Sequence, residues 1–327
     1  MANAHEVTIS DIDTFSQCRQ LYDFQYRRGL QRIERGPHFA VGTAAHAALE
    51  AYYLGNMHPH LFFDEYVDTE VYPHLNNFSE GYVEKLTDQI EASRAVLKVY
   101  PEWAATVDDF VVVNTEQRNQ IRLNNTVPGL FFSFRYDLLV KRNDEYWLMD
   151  FKTTKQLPNN ADWLLINNQA IAYQWAAEEV FGVPIAGIMY TYVRKKKPTV
   201  PKLLKSGRIS KDKRIITTAQ TYKNALDEHR LAYSDYTDHL NYIDSMLSEW
   251  FFRRFELRAS KKQKQLHKKR VIKLAELMID PDTYIYPSPN RMKCAACDFK
   301  TPCELLQMGQ NIDNIIALEY EPKEPRE

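Results

Sequence analysis

The chain has 327 residues, 44% of them hydrophobic, with 42 Lys and Arg against 43 Asp and Glu. That is enough apolar material for a sizeable core and about one or two domains. No run of about 18 apolar residues marks a membrane span, and the opening MANAHEVTISDID lacks the basic-then-apolar layout of a secretory leader. The expectation is an intracellular, cytoplasmic protein with reduced thiols. No Gly is followed by Lys, so there is no Walker A loop, and any ATP-driven motor would be another chain.

The first helix is expected to start at Ser10, a good N-cap, and to run through DIDTFSQCRQLYDFQY with Phe15, Cys18, Tyr22 and Tyr26 on one face. A second helix follows from Gly42-Thr43 through His46 to about Leu54, and 60–105 reads as mixed helix with aromatic anchors. Strands are predicted over 110–123, 130–141 and 145–152, then a helix over 161–181 ended by Gly182 and Pro184, then a buried strand over 185–193. Residues 195–214 read as a mobile loop and 217–278 as a long helical region. The stretch 284–307 is rich in Pro and Cys with little periodicity, a composition that usually needs a staple to stay folded. The final EYEPKEPRE reads as a disordered tail.

Charge is segregated along this order. Residues 194–214 hold ten Lys and Arg and one acid, as do residues 253–273, which leaves 22 basic and 41 acidic groups in the other 285 residues. Local basic surface is what binds phosphate, although a solvated charged face is the plainer reading of either segment. Twenty Tyr and five Trp offer stacking surfaces for bases, most of them expected in the core.

One predicted hairpin carries chemistry. If Asn143-Asp144 is a two-residue turn, Asp137 falls opposite Asp150, and directly opposed residues share a face about 5 Å apart. Two carboxylates there repel unless a cation offsets them. Lys152 lies two residues on, hence on the same face. Hard oxygen ligands suit Mg²⁺ or Mn²⁺, which can activate water and stabilise charge on a phosphate, while an ammonium assists the nucleophile. A surface ion pair is the competing reading, against which the apolar neighbours Leu148, Met149 and Phe151 speak.

Asp137 followed by DFKTTK at 150–155 resembles the signature of PD-(D/E)xK nucleases in their RecB-like form. GTAAH at 42–46 is similar to that family's upstream histidine motif, and Gln169-Ala-Ile-Ala-Tyr173 to its Q-x3-Y motif. The resemblance implies a restriction-endonuclease-like α/β core (helix, three strands, helix, strand; mixed central sheet) with helical insertions. It further implies that His46, Asp137 and Asp150, together with Glu116, ligate metal, that Lys152 assists the nucleophile, and that Gln169 and Tyr173 orient it or the DNA. There are departures: Phe134 stands where relatives commonly have Gly three residues before Asp137, and no Pro-Asp dipeptide precedes Asp150, which is usual for the RecB-like branch.

The four cysteines are Cys18 and the C-x2-C-x5-C of Cys294, Cys297 and Cys303. Such spacing in a reduced compartment reads as a metal site, with zinc and an iron–sulfur cluster both open. One cysteine in the first helix and three after the nuclease core resemble the iron–sulfur branch, which includes AddB-type nuclease domains and CRISPR-associated Cas-four exonucleases. That implies a [4Fe–4S] cluster in a subdomain joining both ends of the chain. The expected segments are 1–35, 36–109, 110–193 (the nuclease core), 194–280, 281–310 (the cluster part) and 311–327. The function so implied is a Mg²⁺- or Mn²⁺-dependent DNA exonuclease acting on single strands or ends, alone or with a helicase or CRISPR integrase partner. The alternative is a non-catalytic DNA-binding or adaptor subunit.

Overall fold

The strands in chain order are β1 (His5–Val7), β2 (Leu30–Arg32), β3 (Val111–Arg122), β4 (Leu130–Arg142), β5 (Glu145–Thr154), β6 (Ile185–Arg194), β7 (Phe252–Leu257) and β8 (Tyr320–Pro322). The computed structural model describes residues 5–33, 38–55, 57–123 and 129–323, apart from the side chains of 38, 39, 76, 77, 116 and 117. Six strands form one sheet in the order β1-β4-β5-β6-β7, with β3 also on β4, while β2 and β8 make a separate ribbon. The β1–β4 and β5–β6 pairs are parallel and the rest antiparallel, so the sheet is mixed.

Asn143 and Asp144 organise its centre. Both take positive φ, 49° and 62°, as a two-residue turn matched to strand twist requires. The β4–β5 register follows the predicted arithmetic from Arg142↔Glu145 to Leu138↔Met149. From β5 the chain crosses over through the helix Asn168–Phe181 to β6, the long connection that parallel pairing demands. Gly182 ends that helix in the left-handed conformation, as predicted.

The sheet forks at β4. One edge of β4 pairs with β3 from Phe131 to Lys141. The other edge pairs with β1 at 130–132 and with β5 only from 138 onward, so residues 133–137 have neither partner on that side. Two hydrophobic clusters cover the sheet. One gathers Leu138, Val140, Trp147, Met149 and Phe151 under the helix His38–Tyr53 and its neighbours. The other gathers Phe132, Phe134, Tyr136, Leu139 and Leu148 against the helices Asn168–Phe181 and Lys261–Ile279. The even-numbered residues of β4 change cluster between Tyr136 and Leu138, so Asp137 sits at the changeover.

Several local expectations are corrected. Thr8, not Ser10, caps the first helix, Ile9–Gln17, through a capping box with Asp11. That helix stops at Cys18, whose extended φ and ψ of −162° and 112° break the expected continuous face, and the chain resumes as a short helix, Arg19–Tyr22, and a π-helix, Asp23–Arg27. The 195–214 segment has no helix or long strand, but Ile209 is buried and its N–H donates to Tyr236 Oη at 3.1 Å, so it is anchored. The region 217–278 is interrupted by β7, whose Phe-Arg-Arg-Phe-Glu-Leu alternation pairs with β6. The expected tail contributes β8; residues 324–327 lie outside the described residues.

Candidate active site

Small residues bring the histidine helix onto the sheet. Ala44, Ala45 and Ala48 are buried, and a Cβ on Gly42 would touch Thr153 Oγ1 of β5 at 3.7 Å. The GTAAH run is therefore a close-packing surface that also carries His46. Its Nδ1 lies 3.4 Å from Asp137 Oδ2. The same oxygen accepts the backbone N–H of Phe151 at 2.5 Å. Asp137 thus holds β4 and β5 together by its side chain just where their backbone pairing ends.

Asp150 is 4% exposed. Lys152 Nζ stands 2.5 Å from its Oδ2, and Gln169 Nε2 donates to its Oδ1 at 3.3 Å. Oδ2 is thus buried with the Lys152 ammonium against it, and Oδ1 with the Gln169 amide. Burial, reinforced by the charge of Asp137 and opposed by Lys152, pushes the Asp150 carboxyl up to about 6. Burial pulls the His46 imidazole down, but its hydrogen bond with Asp137 and the charges of Asp137 and Asp150 outweigh that and hold it above its usual value.

The helix Asn168–Phe181 supplies the other wall. Gln169 and Tyr173, one turn apart, share a face. Burial first, then the charge of Asp150, pushes Tyr173 up to about 12. Phe134, in place of the common Gly, is buried with its ring 5.6 Å from that of Tyr173, so it fills the wall. Glu116 lies on β3 between Thr115, opposite Leu138, and Gln117, opposite Tyr136, which gives it the register position of Asp137; its side chain lies outside the described residues.

Tyr190 and Asn167 were missed by the sequence reading. Tyr190 stands opposite Asp150 across the parallel β5–β6 pair. Its hydroxyl donates to Gln169 Oε1 and Asn167 Oδ1 at 3.4 Å each, and Lys152 Nζ sits 5.5 Å from its ring centroid. The only sequence signal was the Met-Tyr-Thr-Tyr-Val run of a predicted buried strand, and a parallel register across a crossover helix has no arithmetic like that of a hairpin.

The donor set fits a hard divalent cation: two carboxylates, one of them buried, beside an imidazole. Among the described residues, no three His, Cys, Asp or Glu side chains stand together as a metal's coordination shell.

Cys18, Cys294, Cys297 and Cys303 line one cavity of about 370 Å³, together with Phe24 and Phe299. Backbone N–H groups of Ser288 and Asn290 donate to the sulfurs of Cys18 and Cys294 at 3.4 Å. Burial, then the neighbouring cysteines, pushes Cys303 up to about 11, and burial raises Cys297 as well. The ends of the chain are also joined without any metal, by the β2–β8 ribbon and by the cluster of Phe24, Phe299, Ile312 and Tyr320.

Much of the second basic segment is spoken for. Arg254 is buried against Asp108 at 2.8 Å, Arg258 pairs with Glu145 at 2.6 Å, and Lys264 with Glu178 at 2.6 Å. Lys261, Lys262 and Lys269 are exposed and, among the described residues, form no ion pair.

A family model described as the PD-(D/E)XK nuclease superfamily matches residues 6–304. No curated protein matches. Among solved structures, one described as the crystal structure of SSO0001 aligns over 93% of this chain and 88% of that one, at 8% identity and a TM-score of 0.32, too distant a likeness to carry an argument.

Proposed function

We propose that this chain, which belongs to the PD-(D/E)XK nuclease superfamily, is a metal-dependent DNA exonuclease acting on single strands or DNA ends. The observation that carries the reading is the convergence at the sheet fork of Asp137, Asp150, Lys152 and Gln169, with His46 on Asp137 and the buried Asp150 carboxylate held between Lys152 and Gln169. Nucleases of this superfamily generally use Mg²⁺ or Mn²⁺. Asp137 and Asp150 would hold such an ion, with His46 and Glu116 as further ligands. When bound, the ion supplies a lowered water pKa and a positive charge beside the phosphate. Lys152 orients the attacking water and balances charge on the phosphate oxygens. Gln169, whose Oε1 accepts from Tyr190, keeps Asp150 in its rotamer, and Tyr173 closes the wall behind it. No described helix is long and apolar enough to cross a membrane.

The test is degradation of end-labelled single-stranded DNA in Mg²⁺ or Mn²⁺. Lys152→Ala is expected to lower the rate by about 100-fold or more, and full activity in that variant would sink the assignment.

For the cysteine cavity the same reading places a [4Fe–4S] cluster on Cys18, Cys294, Cys297 and Cys303. What supports it is four sulfurs on one cavity, the Cys297 and Cys303 thiols raised by burial and then by the neighbouring sulfurs, and two backbone donors to sulfur. Protein purified without oxygen should be brown, and Cys18→Ser should bleach it. A colourless preparation containing one zinc would assign zinc instead. A helicase or CRISPR integrase partner is part of this reading, and copurification tests it.

A further inference from the structure

Between β5 and the glutamine helix the chain makes a short 3₁₀ turn, Asp162–Ile166. Leu164 is fully buried and pins the turn to the core. Its neighbours do the opposite: Trp163 is 46% exposed, Leu165 53% and Ile166 79%. The turn is not loose. Arg253 donates to Pro158 O at 3.0 Å, and Gln263 donates to Leu165 O at 3.4 Å. Three large apolar side chains are thus held in water on a braced support, which the fold itself does not need.

Position says what covers them. Ile166 immediately precedes Asn167, the helix cap that accepts from Tyr190 and Ala170, and lies three residues before Gln169, which touches Asp150. The apolar edge is therefore continuous with the candidate active site. Cations flank it. Gln263 ties it to the first turn of the Lys261–Ile279 helix, whose Lys262 is exposed and, among the described residues, forms no ion pair. At the other end of the connecting segment Lys155 is exposed as well. An apolar edge beside a phosphodiester site, bordered by uncommitted lysines, matches a strand that offers bases on one side and phosphates on the other.

We propose that Trp163, Leu165 and Ile166 form a base platform: Trp163 stacks on a base of the strand whose scissile phosphate lies over Asp137 and Asp150, and Ile166 packs against the next base. The occupant is a single DNA strand, and the proposal rests on the nuclease reading above. It adds a contact to base faces that is independent of sequence and separate from phosphate binding.

The experiment compares binding of a 20-nucleotide oligothymidine and an abasic oligonucleotide of the same length to the full chain in EDTA, where hydrolysis does not interfere. The wild type should prefer the oligothymidine. Trp163→Ala combined with Ile166→Ala should weaken oligothymidine binding about tenfold and leave abasic binding unchanged. Lys155→Ala with Lys262→Ala should weaken both alike and flatten the salt dependence. All four side chains are exposed, so the fold should tolerate the changes. If the double apolar variant binds both probes as the wild type does, while the wild type still degrades DNA in metal, the platform is refuted and the edge belongs to a protein partner. If the wild type neither binds nor degrades DNA, the nuclease reading falls with it.

Discussion

Asp137 ties β4 to β5 through its carboxylate, the proposed function gives the same side chain a metal, and two substitutions separate the roles. Asp137→Ala removes the acceptor of the Phe151 N–H, leaving a partly buried donor unpaired at a cost of about 1–3 kcal/mol. Asp137→Asn keeps an oxygen for that N–H and removes only the charge. Unfolding entropy of about 2 cal/mol/K per residue over 327 residues gives about 0.7 kcal/mol/K, so the alanine variant should melt about 1–4 °C lower in EDTA. The asparagine variant should melt within about a degree of wild type. Both should lose nuclease activity by about 100-fold or more, and neither should show the rise in Tm that Mn²⁺ gives the wild type by binding the folded state. Calorimetry with and without Mn²⁺, alongside the labelled-strand assay, reads all of this. An asparagine variant as unstable as the alanine variant would refute the backbone argument. Full activity in the asparagine variant would refute the metal argument.

Three further outcomes follow. A Cβ on Gly187 would lie 2.5 Å from Leu257 O and 2.5 Å from the Trp147 ring, so Gly187→Ala should destabilise by about 1–3 kcal/mol in denaturant titration. Arg254→Ala strands Asp108 in a part-buried network with Tyr53 and should cost about 1–3 kcal/mol while leaving the salt slope of DNA binding unchanged; a lowered slope would return Arg254 to the DNA surface. His267 is buried, accepts from Trp175 at 3.1 Å, and is pulled down to about 4 by burial with help from Arg270. The folded state therefore keeps His267 neutral, while the unfolded chain takes up a proton below about pH 6.5. Stability should be level above that pH and fall by up to about 3 kcal/mol toward pH 4. His267→Gln should flatten this slope, and an unchanged slope would disprove the attribution.

The sequence made the hairpin legible because its constraints are local. A two-residue turn fixes register by addition, and period-two alternation fixes faces, so Asp137, Asp150 and Lys152 could be related by counting. What addition could not show is that backbone pairing ends at Leu138↔Met149, because that depends on β1 taking the other end of β4. His46 was found through a motif whose alanines have a packing reason only the sheet explains. Tyr190 and Asn167 escaped because parallel pairing is set by tertiary contact. The Cys18 break escaped because its cause lies far along the chain: Gln20 N–H donates to Tyr286 O, and Ser288 N–H to the Cys18 sulfur. β7 was absorbed into a helical reading because Phe252–Leu257 is short and flanked by true helices.

The ribbon of β2 and β8 imposes an order on biosynthesis. Leu30–Arg32 finds its partner only when Tyr320–Pro322 has been made, and Cys18 meets Cys303 only after the whole sheet has been synthesised. At roughly 5–20 residues per second the ribosome takes on the order of 15–60 seconds to cover that separation. Phe24 waits through most of that interval for Phe299, Ile312 and Tyr320, so nascent chains stalled before residue 299 should offer that side chain to chaperones. The lobe at the cysteine cavity is completed late among the described parts, and any inorganic centre that needs all four cysteines is acquired only once Cys303 has been made.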